Sequence, residues 1–273
     1  MAKILRGDIV ADKIISDLSN EMKNLKAKNI KPVLAVILIG DDPASKIYVT
    51  QKQTRVEALE FSFNLYEFLP IATESQIIDL IEKLNRAEHV DGILVQLPLP
   101  HSFQKEKILN KIKPEKDIDA LTKNSKYKSP TAQAILEILK FYKIPIKKKK
   151  VVVVGKGILV GKPLLRLAKD LGANVASCDN KTKDLRKIAK TADILVSGVG
   201  KKNLVKHNMI SEKCIVIDAG TQVVKGLQEG DVDFKKVAKK AAAITPPKGG
   251  VGPVTVAVLV KNLIMAAKNR KNS

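Results

Sequence analysis

Tryptophan is absent from this chain, cysteine occurs twice and histidine three times, and aromatic residues fill 4% of the 273 positions. So few rings argue against a stacking platform for single-stranded nucleic acid. Cys178 and Cys214 sit inside predicted strands, far from any ligand-like spacing. They read as buried thiols in a reducing compartment. His89, His101 and His207 are scattered, so no metal site is expected. The opening MAKILRGDIV lacks the apolar run of a secretory signal, and no segment reads as a membrane span. A cytoplasmic protein without a membrane partner is expected.

Acidic residues are the other shortage: 28 Asp+Glu stand against 49 Lys+Arg, a formal charge of +21. Such a field attracts polyanions. Most lysines are scattered over helix faces, with IKKKKVVVV the one short block, which suits a lysine-rich surface around a small polyanionic ligand. A basic nucleic-acid-binding α/β protein is the non-enzyme alternative. It lacks a recognition helix, an RNP-type motif and interleaved aromatics, so no nucleic-acid partner is expected.

What is present is regular alternation. Residues 9–28 form an amphipathic stripe through Ile9, Ile14, Ile15, Leu18, Met22 and Leu25, predicting a helix. VLAVILI (33–39) is continuous and apolar, as in a parallel strand buried on both faces. A helix from about Ser45 to Leu59, a strand FNLYEF, a helix over 74–85 and a strand GILVQLP complete βαβαβ. Polar, turn-rich 113–131 marks a domain boundary. Beyond a helix at 132–142 a second series runs through VVVVG (151–155), a helix from Gly161, NVASC (174–178), a helix from about Lys183, DILVS (193–197) and CIVID (214–218). One long helix follows the loop TPPKGGVGP from Gly252. The fold class expected is α/β with two domains, 1–120 and 121–251.

The second series opens on a glycine loop. Gly155, Gly157 and Gly161 follow the all-valine strand and precede a helix, an arrangement that brings backbone N–H groups to a pyrophosphate. The next strand ends in Asp179, Asn180 and Lys181. An acid there accepts from the 2′-hydroxyl of NAD, whereas a basic residue favours the 2′-phosphate of NADP. Asp179 stands against Lys156 and Lys181, so both cofactors stay open. In the first series, Tyr48 and Lys52 lie four apart on one helix face. Gln96 follows a buried run, and KDIDA sets Asp117 and Asp119 in a loop. A phenol, an amine, an amide and a carboxylate at strand ends are suited to acid–base work beside a ligand.

IGDDPASKIYVTQK, VDGILVQLPLP, PEKDIDAL, VVVVGKGILVGKP, GDVDF and TPPKGGVGPVT occur in this order across the chain. Together they resemble the bifunctional methylenetetrahydrofolate dehydrogenase/methenyltetrahydrofolate cyclohydrolases. The resemblance implies an N-terminal folate domain completed by the helix 252–273, a Rossmann-type NAD(P) domain between them, a homodimer, and a role in one-carbon metabolism serving purine biosynthesis. It implies that Tyr48 packs on the folate, Lys52 is catalytic, Gln96 orients it and Asp119 bonds the pterin. Gly252, Pro253 and Thr255 would border substrate and nicotinamide. NADP, with NAD as the alternative, would be held by Thr131, Gly155, Lys156, Gly157, Gly161, Asp179, Asn180, Lys181, Thr221 and Thr255. A monofunctional NAD-linked dehydrogenase is the second enzyme reading.

Several positions depart from the family pattern. Ala120 replaces a glycine, and the stretch to Thr131 is shorter by about ten residues. Ser129-Pro130-Thr131-Ala132 stands for Pro-Cys-Thr-Pro, Lys156 for Arg, Gly157 for Ser, Asp179-Asn180 for His-Ser, and Pro247-Lys248 for Val-Pro.

Overall fold

The computed structural model describes residues 1–224 and 227–270. The strands are β1 Lys3–Ile4, β2 Val33–Ile39, β3 Ser62–Phe68, β4 Gly92–Val95, β5 Lys150–Val154, β6 Asn174–Cys178, β7 Ile194–Ser197, β8 Ile215–Asp218, β9 Gln222–Val224, β10 Leu227–Glu229 and β11 Ala243–Ile244. The helices are α1 Gly7–Asp17, α2 Ser19–Ala27, α3 Pro43–Glu57, α4 Glu74–Arg86, α5 Lys105–Leu109, α6 Pro130–Phe141, α7 Gly161–Asp170, α8 Leu185–Lys190, α9 Phe234–Val237 and α10 Val251–Arg270.

Two compact units result. One joins Ile15–Lys128 to the chain from Leu259 onward; the other joins Met1–Ile14 to Ser129–Val258. This division differs from the expected 1–120, 121–251 and 252–273. The first residues depart because β1 pairs in parallel with β11. The boundary shifts to Lys128 because Asp117 holds the 121–125 segment: its carboxylate accepts from the Leu121 and Thr122 N–H groups, and its carbonyl from Ser125 Oγ. Residues 271–273 of the expected terminal helix lie outside the described residues.

The unit built on Ile15–Lys128 has a parallel sheet in the order β3-β2-β4. Six of the seven β2 residues are buried, each large aliphatic one worth about 1.5–3 kcal/mol. Because β3 and β4 flank β2 on opposite sides, the loops after β2 and β4 diverge at a topological switch point, where α/β sheets take ligands.

The second unit has a six-stranded sheet, β1-β11-β8-β7-β5-β6, with parallel pairing throughout. Here the order reverses at β5, between β6 and β7. Cys178 and Cys214 are free and buried in this unit, and burial pushes the Cys214 thiol up to about 12.

Two local readings need correction. The stripe 9–28 is not one helix: α1 and α2 break at Leu18, whose φ is −88° and ψ 0° and whose side chain is buried. α10 is also long and apolar enough to span a membrane by length and composition, with mean hydropathy 1.5 over Val251–Asn269. Most of that segment, 61%, is buried within the protein, as in a core helix.

Candidate active site

The motif IGDDPASKIYVTQK builds the first half of the site. Gly40 leaves β2 at φ +87°, a conformation open to glycine at little cost. The Asp42 carboxylate then caps α3, accepting from Ser45 N and Ser45 Oγ at 2.8 Å each. Pro43 occupies the first turn, where its missing N–H costs nothing. This cap starts α3 two residues before the expected Ser45. The helix presents Tyr48 and, one turn on, Lys52; both are half-buried, and the Tyr48 hydroxyl oxygen is buried.

From the other side of the switch point comes Gln96, buried and directly after β4. Its backbone N–H donates to Ile37 O of β2 at 2.9 Å. Its amide Nε2 donates to Leu97 O, which turns Oε1 toward α3, where it accepts from Lys52 Nζ at 2.7 Å. Asp119 completes the set through its field. Burial holds the Lys52 ammonium below the ordinary lysine range, opposed by the Asp119 charge. Burial likewise pushes the Asp119 carboxyl up to about 6, against the pull of Lys52 and with a push from Asp117. Both side chains stay partly exposed, so a ligand can reach them. A lysine that loses its proton readily and a carboxyl that titrates near neutrality are the groups a proton-transfer site needs.

Asp117 belongs elsewhere. It is fully buried and spends its carboxylate on the 121–122 backbone and the Thr122 hydroxyl. The loop it shapes puts Ala120 at φ +54°, the left-handed region that favours glycine. A residue not foreseen from sequence supports Asp119 from behind. Asn262 of α10, buried, donates through Nδ2 to Ile118 O at 2.8 Å and Lys128 O at 3.1 Å. An asparagine inside the run VAVLVKNLIMAA was the available signal.

In the second unit, Gly155 follows β5 at φ +102°. A Cβ there would stand 2.7 Å from Gly198 O, and one on Gly161 would stand 2.0 Å from Gly155 O. The turn is therefore a cradle that side chains would fill, and it opens onto the start of α7 at the β5 switch point, which fits a dinucleotide pyrophosphate. Gly157 meets nothing within 4 Å, so space does not demand glycine there.

At the end of β6, Lys156 Nζ donates to Asp179 Oδ2 at 2.8 Å. Asp179 Oδ1 also accepts from Lys181 N and Thr182 Oγ1, both at 3.1 Å. The hydrogen bond from Lys156 leads in holding this carboxyl below its usual range. Asn180 and Lys181 are exposed. Thr131 lies half-buried in the first turn of α6, Thr221 is exposed after β8, and Gly252 and Pro253 are exposed at the start of α10. Thr255 is half-buried and donates to Val251 O at 3.2 Å within its own helix. Among the described residues, no group of three or more His, Cys, Asp or Glu could hold a metal ion.

A parallel sheet with a glycine cradle at its switch point, in one chain with a partly desolvated Lys–Gln–Asp set at a second switch point, defines a dinucleotide-dependent α/β enzyme. Residues 5–119 match the tetrahydrofolate dehydrogenase/cyclohydrolase catalytic domain, and residues 129–271 match the NAD(P)-binding domain of the same family. The chain belongs to the tetrahydrofolate dehydrogenase/cyclohydrolase family. It is 39% identical over 280 residues to the bifunctional protein FolD of Lactobacillus acidophilus, covering 99% of each chain. The crystal structure of the bifunctional FolD methylenetetrahydrofolate dehydrogenase/cyclohydrolase from Campylobacter jejuni superposes with a TM-score of 0.92 at 37% identity, over 99% of this chain and 100% of that one. The Trypanosoma brucei enzyme, complexed with NADP and an inhibitor, gives 0.93 at 34% identity, over 100% and 99%.

Proposed function

We propose that this enzyme oxidises 5,10-methylenetetrahydrofolate to the 5,10-methenyl cation and hydrolyses that cation to 10-formyltetrahydrofolate. The observation that carries the reading is the 2.7 Å bond from Lys52 Nζ to Gln96 Oε1, made where burial eases proton loss from the amine. NADP bound at the Gly155–Gly161 turn supplies the hydride acceptor for the first step. In the second, water adds to the methenyl carbon, and Lys52 moves the proton that this addition releases while Gln96 holds the amine in place. The bond from that carbon to N5 then breaks as the carbinol hydroxyl gives up its proton to become the formyl C=O, N5 takes a proton in exchange, and the formyl group stays on N10. Tyr48 packs on the folate rings, and the Asp119 carboxylate accepts a hydrogen bond from the pterin. Pro253 borders the substrate. Thr131, Lys156, Gly157, Asn180, Lys181, Thr221 and Thr255 contact the dinucleotide with Gly155, Gly161 and Asp179. The Lys52–Gln96 pair favours both activities over a dehydrogenase alone.

A second reading concerns the cofactor only. The Lys156 charge is already committed to Asp179 at 2.8 Å, and an acid at the end of this strand suits the free 2′-hydroxyl of NAD. NADP nonetheless ranks first, because the related Trypanosoma brucei enzyme is complexed with NADP, and NAD is expected to serve as well. The enzyme is further proposed to act in the cytoplasm as a homodimer, with no nucleic-acid or membrane partner, its positive field serving polyanionic folates and dinucleotides.

A time course with 5,10-methylenetetrahydrofolate, run in parallel with NADP and NAD, tests the assignment. Cofactor reduction with 10-formyltetrahydrofolate as product and little methenyl accumulation is the expected result. Methenyl accumulation matching cofactor reduction would contradict the hydrolase, and no reduction with either cofactor would contradict the dehydrogenase.

A further inference from the structure

The motif GDVDF contributes no group to the chemistry above, yet it holds one of the most heavily bonded carboxylates in the molecule. Asp231 is fully buried. Its Oδ2 accepts from Ser197 Oγ and Val199 N, and its Oδ1 from Lys201 N, all at 2.7 Å. Three donors thus run along the loop that leaves β7.

Asp218, the last residue of β8, holds Asp231 in turn. Its Oδ1 accepts from Asp231 N at 3.1 Å and its Oδ2 from Val232 N at 2.9 Å. The two carboxylates are interlocked by glycines. A Cβ on Gly220 would stand 2.0 Å from the Asp231 carboxyl, and one on Gly230 would stand 2.0 Å from that of Asp218. Burial pushes Asp218 up to about 7, with the Val232 N–H pulling it back and the Asp231 charge adding to the rise. Two acids sharing a dry site are costly unless each is fully bonded, so a geometric task for the pair is a more economical account than stability.

The loop that Asp231 grips is one wall of the glycine cradle. Gly155 has no room for a Cβ because Gly198 O would lie at 2.7 Å and Val199 Cγ2 at 3.1 Å. β5 and β7 are neighbours in the sheet, and the order reverses at β5. The loops after β5 and β7 therefore face each other across the crevice where a dinucleotide binds.

We propose that Asp231, seated by Asp218, is a positioning residue for the dinucleotide: its three hydrogen bonds fix the Ser197–Lys201 loop against the Gly155 turn, so that the cofactor crevice is formed before the cofactor arrives. This rests on the NAD(P)-dependent reading above. Pre-forming the wall lowers the ordering cost of binding, so the effect falls on affinity and not on the chemical step. It also spares hydrolysis, whose lysine and amide belong to the other unit.

Asp231→Asn keeps the shape and replaces one acceptor oxygen with a donor facing an N–H. It is expected to raise the dissociation constants of NADP and NAD, read by isothermal titration calorimetry, by about tenfold. The dehydrogenase KM for cofactor should rise equally, with kcat at saturating cofactor and the hydrolysis of 5,10-methenyltetrahydrofolate near wild-type values. Unchanged cofactor affinity in a folded Asp231→Asn protein would overturn the proposal, as would a fall in kcat with KM unmoved. Should that variant not fold, Ser197→Ala, which removes one of the three bonds, decides: weaker cofactor binding with intact hydrolysis supports the proposal and unchanged binding overturns it. Wild-type protein that binds neither dinucleotide would sink the dehydrogenase reading itself, a result distinct from failure of the positioning role alone.

Discussion

A lysine and an aspartate interact in each of the two units, and the two carboxylates shift in opposite directions. Lys156 bonds Asp179 directly at 2.8 Å with 45% of the lysine and 28% of the aspartate side chain exposed, and the Asp179 carboxyl falls below its usual range. Lys52 gives its hydrogen bond to Gln96 and reaches Asp119 only through its field; burial dominates, and the carboxyl rises to about 6. Residue types are the same in both cases. What differs is desolvation, which penalises charge, set against direct hydrogen bonding, which rewards it. We propose that the pair at the end of β6 recognises charge on a ligand, whereas the pair around Lys52 exchanges protons.

The largest effect should come from breaking the half-buried pair. Lys52→Met removes the amine while keeping much of its volume. Hydrolysis of methenyltetrahydrofolate is expected to fall by about 10²–10⁴-fold, with circular dichroism and thermal unfolding near wild type; hydrolysis at the original rate would contradict the role given to Lys52. Asp119→Asn comes next. Below about pH 6 the Asp119 carboxyl holds a proton and stops acting as a charged acceptor, so the KM for folate should rise as pH falls through that value. The variant should show a KM raised about tenfold at neutral pH and no inflection near 6.

The same shift has a sign for stability. The unfolded carboxyl ionises at about 3.9, so between about pH 4 and 6 the folded state holds the extra proton. This group therefore costs stability as pH rises through that window, and Asp119→Asn should flatten that part of the curve measured by urea unfolding. On the exposed pair, Asp179→Ser should shift the ratio of kcat/KM toward NADP by about tenfold, and Lys156→Ala toward NAD. Equal ratios in all three proteins would deny the pair a part in cofactor choice. Smallest of all, Ala120→Gly relieves a residue at φ +54° and is expected to add about 0.5–1 kcal/mol to the unfolding free energy.

How much of this was legible beforehand divides by range. β2 and β6 stood out as uninterrupted local patterns and occupy the residues expected, Val33–Ile39 and Asn174–Cys178. Local chemistry also explains the near miss at α3, where the Asp42-Pro43 cap was overlooked. β1 and β11 were not foreseen, because each has two residues and their pairing joins Lys3 to Ala243. The side chains of the candidate site were singled out by type and by position at strand ends, and their roles only by resemblance. That Gln96, and not Asp119, takes the Lys52 proton donor depends on how two loops leave a sheet. Asn262 acts through bonds to distant backbone, and Asp231 through two distant backbone N–H groups and the Ser197 hydroxyl, partners that no local pattern announces.

The account turns on the opposite behaviour of two aspartates, and their titration can be followed directly. Protein carrying ¹³C at the aspartate carboxyl carbon would be titrated by NMR, with Asp119→Asn and Asp179→Asn used to assign the two signals. The prediction is a midpoint near pH 6 for Asp119 and one below the ordinary carboxylate range for Asp179. An Asp119 signal that titrates as low as that of Asp179 would contradict the claim that desolvation, and not pairing, governs the site around Lys52.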